Sequence, residues 1–157
     1  MAESAETLAQ RLENGAEKTV SFFEALTPDQ WGVSIYTDGA CWTVQQVLAH
    51  FVSSEMSIVR LIQNILAGGG GVPEDFNLNA YNERKVSELQ GAPPEKLLAE
   101  FKRSRQSTIS LVAGLSHEDL SRQGRHPWLG ITEVGEIIKL LYLHNQIHQR
   151  DIRKLLD

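Results

Sequence analysis

Residues 43–67 read TVQQVLAHFVSSEMSIVRLIQNILA, and this stretch points directly to a fold class. Its apolar residues recur every three or four positions, which is the period of one buried face of an α-helix. Thr43 followed by Gln46 is typical of a capping box at a helix N-terminus. Four consecutive glycines at positions 68–71 end the pattern, because glycine destabilises a helix interior. We therefore predict a long amphipathic helix over residues 43–67.

Three other segments share this periodicity: about residues 3–26, the stretch from residue 93 or 94 onward, and about residues 132–156. A shorter helix is expected around residues 81–89, and no segment alternates for long enough to predict a strand. Because the central connection after residue 67 is long, it can return along a whole helix. We predict an all-α four-helix bundle whose long central crossover, between helices two and three, allows up-down-down-up order.

Length and composition exclude several classes of protein. The 157 residues, with 41% hydrophobic residues, predict one domain over residues 1–157 with a buried core. The net charge of −5 argues against broad binding of nucleic acid, which requires a basic surface. The sequence shows neither a signal peptide nor a run of about 18 apolar residues, so we expect a cytoplasmic protein without a membrane span.

Two of the five histidines lie in the segment His144-Asn145-Gln146-Ile147-His148. Their spacing of four residues places both side chains on one face of a helix, one turn apart. This face also carries Leu141, so both rings lie on or beside the stripe that faces the core. The pair could bind one divalent metal ion, or it could be two hydrogen-bonded histidines of the core.

His50 strengthens the metal interpretation because it lies in another predicted helix, at the flank of the apolar stripe. Two histidines from one helix and one from a second can form a three-nitrogen site with an open coordination position. Closed zinc sites usually contain cysteine, but Cys41, the one cysteine, lies outside the helix. His117, in the first turn of a short helix, and His126, in a loop, are expected to be exposed to solvent.

Other side chains leave alternatives open. Glu55 interrupts an apolar stripe, so it could be a general base or supporting partner, or an inward carboxylate in an ion pair. Asp151, three residues after His148, could orient that histidine or be solvated. Cys41 is expected to be a small buried side chain. Trp42 and Trp128 are expected to pack against neighbouring residues. Three basic residues of the third long helix are expected to be solvated: Lys102, Arg103 and Arg105.

The motif Trp-Thr-Val-x-x-Val-Leu-x-His at residues 42–50, with His-x-x-x-His-x-x-x-Ile at residues 144–152, resembles the DinB/YfiT-like superfamily. The resemblance covers nearly the whole chain, and residues 75–82 are similar to the N-terminal domain of mycothiol-dependent maleylpyruvate isomerases. It implies an up-down-down-up four-helix bundle that forms a homodimer. It also implies that His50, His144 and His148 bind Zn²⁺ or Ni²⁺.

The resemblance further implies a metal-dependent thiol (S-)transferase that acts on a small-molecule thiol or an electrophilic substrate. The alternative is a metal-stabilised binding or stress-response module without catalysis, which the same three histidines would serve. No residue is assigned a catalytic role beyond these ligands, and neither nucleic acid nor a membrane is expected as a partner.

Overall fold

The helices of the computed structural model, which describes residues 3–36 and 41–156, follow the periodic segments of the sequence. The described elements are helices α1 (Ala5–Glu24), α2 (Val44–Leu66), α3 (Leu78–Glu88), α4 (Pro94–Ala113), α5 (His117–Ser121) and α6 (Val134–Leu156), a 3₁₀ helix (Pro28–Gly32), and strands β1 (Gln123–His126) and β2 (Gly130–Glu133). All four predicted long helices are present, and α3 is the predicted short one. Among these helices, none has both the length and the apolar character needed to cross a bilayer.

The long helices α1, α2, α4 and α6 form a four-helix bundle, and two buried clusters show their directions. The first cluster joins the starts of α1 and α6 to the ends of α2 and α4: Leu8, Leu12, Ile62, Ile65, Val112, Val134 and Ile137. The second joins the opposite ends: Phe23, Val44, Phe51, Leu97, Phe101 and Ile152. Helices α1 and α6 therefore run opposite to α2 and α4, which confirms the up-down-down-up order.

The start of α2 is held by the predicted capping box. The Gln46 N–H donates to Thr43 Oγ1 over 3.3 Å, and the Thr43 N–H donates to Gln46 Oε1 over 2.9 Å. These bonds satisfy backbone donors that have no partner within the helix. The first turn of α2 is thereby fixed, and His50 lies two turns further along.

The strands β1 and β2 correct the expectation that the chain has none. They pair antiparallel, from Gln123 opposite Glu133 to His126 opposite Gly130. Each strand has four residues, which is too short for a period of two to be recognised in a sequence. Because β2 occupies residues 130–133, α6 begins at Val134 and not near residue 132.

The glycine run after α2 also anchors this hairpin. The Arg125 N–H donates to the Gly70 carbonyl over 2.8 Å, and the Val72 N–H donates to the Arg125 carbonyl over 3.0 Å. Between them Gly71 has a φ of +91°, and a Cβ there would collide with the Arg125 backbone. Glycine is required because the two backbones approach closely in a left-handed conformation. The hairpin is thus held beside the C-terminal end of α2.

Candidate metal centre

The fold brings together His50 of α2 with His144 and His148 of α6. The Nε2 atom of His144 lies 3.0 Å from His50 Nε2 and 2.9 Å from His148 Nε2. All three potential ligand nitrogens lie within 4.8 Å of one another. Two nitrogens that bind one zinc ion at ~2.0–2.1 Å are roughly 3 Å apart. The cluster therefore has the dimensions of a site for a single ion.

The three imidazoles are neutral at physiological pH. Burial, reinforced by the neighbouring imidazoles, lowers the pKa of His50 well below its usual value. Burial and the proximity of His148 lower the pKa of His144 to about 3, and burial lowers the pKa of His148. A neutral imidazole carries one proton and one lone pair. His144 Nε2 lies within hydrogen-bonding distance of the Nε2 atoms of both neighbours, and three neutral imidazoles that turn these nitrogens toward one another can offer their lone pairs to a cation.

A hydrogen-bonded chain orients His148. The Tyr36 hydroxyl donates to Asp151 Oδ2 over 2.7 Å, and the same oxygen lies 2.6 Å from His148 Nδ1. Burial and the Asp151 carboxylate raise the pKa of Tyr36, so the hydroxyl keeps its proton. Because that proton points to Asp151, the oxygen accepts the N–H of His148 Nδ1. The lone pair of His148 is then on Nε2, toward His144, as metal-binding histidines require.

The rings of the cluster are also held by packing. Ser54 Oγ lies 3.2 Å from His50 Nδ1, and the Trp42 ring centroid is 4.8 Å from that of His50. Phe51 contacts the other two imidazoles, with ring centroids 5.9 Å from His144 and 5.7 Å from His148. Trp42 is therefore a packing residue, as predicted, and the partner it packs on is a site histidine.

Glu55 belongs to a separate buried network and is not free to act as a base. Its Oε2 and Oε1 accept from Arg105 Nε at 2.8 Å and Nη2 at 2.9 Å. Arg105 Nη2 also donates to Asn145 Oδ1 over 2.7 Å, and Nη1 to the Leu12 carbonyl over 3.3 Å. The expectation that Arg105 lies on a solvated face is wrong, because its side chain is 1% exposed. Its charge is buried because Glu55 neutralises it.

Beside the histidines lies a pocket of about 670 Å³, bounded by α2, α3, the hairpin and α6. His50 and His144 contribute to its lining. Much of the wall is apolar, for example Phe76, Ile137 and Leu141. A volume of this order is typical of pockets for small organic ligands. A small molecule in this pocket would lie next to the histidine cluster.

Four other sequence expectations are tested by the structure. His117 is exposed on α5, as predicted. His126 was expected to be exposed, but its ring is only 5% exposed and lines the pocket. Trp128 was expected to pack, but it is 68% exposed at the pocket wall, and Cys41 is exposed instead of buried. Trp128 lies in the turn between β1 and β2, and Cys41 lies in the segment before α2; in neither place does periodicity carry a signal about exposure.

The up-down-down-up order of the four long helices and the cluster of His50, His144 and His148 between α2 and α6 define a class of helical-bundle proteins with a potential metal site. The sequence profile of the DinB superfamily matches residues 11–152, and the chain belongs to that superfamily. A relative from Bacillus cereus, provisionally named a metal-dependent hydrolase, is 28% identical over 116 residues. That match covers 73% of this chain and 64% of the relative, so the chain spans less than two thirds of the relative's length.

Solved structures share the fold. YfiT from Bacillus subtilis, a provisionally assigned metal-dependent hydrolase with an unusual four-helix-bundle topology, has a TM-score of 0.77 at 24% identity, covering 96% of this chain and 85% of YfiT. The colibactin self-resistance protein ClbS, solved with double-stranded DNA, gives 0.78 at 16% identity, covering 99% and 97%. A mycothiol-dependent maleylpyruvate isomerase gives 0.76 at 14% identity, covering 96% and 61%.

Proposed function

We propose that this protein is a metal-dependent thiol transferase, with His50, His144 and His148 as the ligands of Zn²⁺ or Ni²⁺. The observation that carries the proposal is the convergence of three neutral imidazoles beside a large pocket. These three histidines would hold a divalent ion, which would lower the pKa of a thiol or a water there and so supply a nucleophile at neutral pH. The donor set suits either ion, because imidazole is a common ligand of both zinc and nickel.

The residues around the cluster have two tasks in this scheme. Tyr36 and Asp151 keep the lone pair of His148 directed at the ligand position, which raises its basicity. The apolar pocket wall binds the organic substrate and excludes water from it. Because His50 and His144 are part of that wall, the bound substrate lies close to the nucleophile.

The pocket size is compatible with thiol transfer as the reaction. Transfer requires room for a thiol and an electrophile together, and about 670 Å³ lies within the range found for pockets that bind organic ligands. In the reaction the sulfur forms a bond to the electrophilic carbon, the thiol proton passes to solvent and the leaving group departs. A solved structure that shares the fold is that of a mycothiol-dependent maleylpyruvate isomerase, and this likeness supports the proposal of thiol chemistry.

Hydrolysis is the second candidate, since the Bacillus cereus relative is provisionally named a metal-dependent hydrolase. The same site would then act on one substrate with water as the nucleophile. A third candidate, a metal-stabilised binding or stress-response module without catalysis, shares the three histidines.

One set of measurements separates these candidates. Elemental analysis of purified protein should find one divalent ion per chain, and His144→Ala should lose it. The control is His117→Ala, which changes an exposed histidine outside the cluster. Conjugation of 1-chloro-2,4-dinitrobenzene with cysteine, lost in His144→Ala, supports the transferase. Turnover of 4-nitrophenyl acetate without thiol supports the hydrolase, and bound metal without turnover in either assay supports the binding module.

Small molecules, and not nucleic acids, are the partners we propose, together with a second copy of the chain. Acidic residues outnumber basic ones by 20 to 15, which disfavours contact with phosphates. The DNA in the ClbS structure makes the direct test worthwhile: salt-dependent binding of duplex DNA would contradict the proposal. Sedimentation velocity tests the homodimer, and a monomer at micromolar concentration would exclude it.

A further inference from the structure

His126 has one ring nitrogen whose role is fixed by the backbone. Its Nδ1 accepts hydrogen bonds from the N–H groups of Trp128 over 3.0 Å and Leu129 over 3.1 Å. A nitrogen that accepts two N–H groups must carry its lone pair. Burial lowers the pKa of His126 to about 4, so the ring is neutral and its single proton is on Nε2. The turn between β1 and β2 thus selects one tautomer.

That Nε2–H group has no partner in the part of the chain that the structure describes. Within residues 3–36 and 41–156, no side chain or carbonyl accepts a hydrogen bond from it. His126 is 5% exposed, and it contributes to the wall of the same pocket as His50 and His144. Its Nε2 is not among the inaccessible side-chain atoms that lack a partner, so this nitrogen reaches the open pocket and not the closed core. An acceptor atom on a molecule bound in the pocket would take the place of water as its partner.

The remaining lining restricts what that molecule can be. Within residues 3–36 and 41–156, none of the residues that line the pocket is an aspartate, glutamate or lysine, and the formal charge in that lining is the one on Arg60. An organic cation would find no counter-ion among these lining residues. A neutral or anionic compound would not meet this penalty, and the apolar side chains suit a largely hydrocarbon body.

We infer that His126 is a substrate-positioning residue, whose Nε2–H donates to a carbonyl oxygen of an apolar, uncharged or anionic substrate in the pocket. The inference rests on the proposed function, because it assigns the electrophile of that reaction to carbonyl compounds with a leaving group on the carbonyl carbon, which departs as the sulfur–carbon bond forms. Donation to the oxygen draws electrons from the carbonyl system and so favours attack by a nucleophile beside His144.

The tautomer can be measured on the wild-type protein. Long-range ¹H–¹⁵N correlation spectra distinguish a protonated Nε2 from a protonated Nδ1. We expect the Nε2–H form for His126 at pH 7, and its nitrogen shift should change when acetophenone is added. Ethylbenzene, which has the same body without the carbonyl oxygen, should leave that nitrogen shift unchanged. An Nδ1–H form would overturn the inference.

The matched variant is His126→Asn. Its side-chain oxygen can still accept from the Trp128 and Leu129 N–H groups, as asparagine does in tight turns, but its amide is too short to replace Nε2. One neutral hydrogen bond is worth about a two- to tenfold change in affinity, so wild type should prefer acetophenone over ethylbenzene by about that factor. The preference should vanish in His126→Asn, while ethylbenzene binds equally to both proteins. An unchanged preference would contradict the inference.

A negative result for His126 can be told apart from a negative result for the proposed function. Probe binding is read without turnover, and the metal content of each sample is measured alongside. Protein that holds metal but shows no carbonyl preference overturns the role of His126 and leaves the metal centre intact. Protein that lacks metal but shows the preference supports a carbonyl-binding pocket and contradicts the metal-dependent reaction.

Discussion

Two polar clusters lie within the same bundle, and they differ in how their atoms are satisfied. In the first, Arg105 donates to Glu55, Asn145 and a backbone carbonyl, so charge and hydrogen bonds are matched. In the second, His50, His144 and His148 turn their Nε2 atoms toward one another at 2.9–3.0 Å, and no charged side chain contacts these nitrogens within the described residues. Glu55 is five residues after His50, and Asn145 follows His144 directly, so both clusters are built on α2 and α6.

Under the proposed function, this difference separates a cluster that stabilises the fold from one that a bound metal ion completes. The network around Arg105 needs no further partner, and it links four helices, α1, α2, α4 and α6. An open set of neutral donor atoms is satisfied by a cation, and it lies where a pocket gives access. Burial alone therefore does not identify a functional site in this protein, because both clusters are buried.

The largest effect should come from removing a ligand of the histidine cluster. His144→Ala should weaken metal binding by more than the about 10–100-fold that loss of a supporting partner causes. Competition with a chromophoric chelator measures this affinity, and His117→Ala should match wild type. If His144→Ala keeps the wild-type affinity, the histidine cluster is a structural cluster like the other.

The closed network should affect folding, not metal binding. Arg105→Met leaves Glu55 as an unpaired buried charge and should cost about 3–5 kcal/mol of unfolding free energy. The double change Glu55→Leu with Arg105→Met removes both charges and should recover much of that loss. Urea denaturation measures both, with Lys102→Met, an exposed residue of α4, as the control. A selective loss of metal by folded Arg105→Met would erase the distinction between the clusters.

The orienting chain should have an intermediate effect. Tyr36→Phe removes the hydroxyl between His148 and Asp151 and frees His148 Nδ1 from its acceptor. Metal affinity should fall about 10–100-fold, with little change in stability. Asp151→Asn should act in the same direction, because the tyrosine proton loses its carboxylate acceptor. Equal affinity of Tyr36→Phe and wild type would show that the chain does not set the tautomer.

The smallest expected effect concerns His126. Its Nδ1 accepts two backbone hydrogen bonds, and its Nε2–H has no partner within the described residues. Its pKa is lowered to about 4 by burial, below the value of about 6.5 in an unfolded chain. Between these values the unfolded state binds a proton that the folded state does not, so stability falls as pH falls through this window. Between pH 7 and pH 5 the titration of His126 should lower the free energy of unfolding by about 1–2 kcal/mol.

This pH effect is measured by chemical denaturation in the presence of a chelator, which removes the contribution of metal binding. His126→Asn should lose less stability than wild type over the same pH range, since asparagine does not titrate. Identical pH profiles for the two proteins would contradict the burial of a neutral His126.

The sequence predicts the helices and the pairing of His144 with His148 because both depend on short-range spacing, whereas His50 was added through its place in another helix and the family resemblance. The period of the apolar residues locates α1, α2, α4 and α6, and the i, i+4 spacing pairs His144 with His148. Contacts between distant segments leave no such signal. Tyr36 is 112 residues from His148, and Arg105 is 50 residues from Glu55, so neither partner could be predicted. The hairpin was missed because its strands are too short to show a period.

Local chemistry in the chain is therefore enough to establish an all-α bundle and to nominate His50, His144 and His148. The burial of Arg105, the tautomer of His148 and the inward position of His126 follow from packing, because each depends on an atom supplied by another segment. Helix formation is governed by neighbours three and four residues away. The protonation and satisfaction of a buried polar group are governed by whatever the folded chain brings within hydrogen-bonding distance.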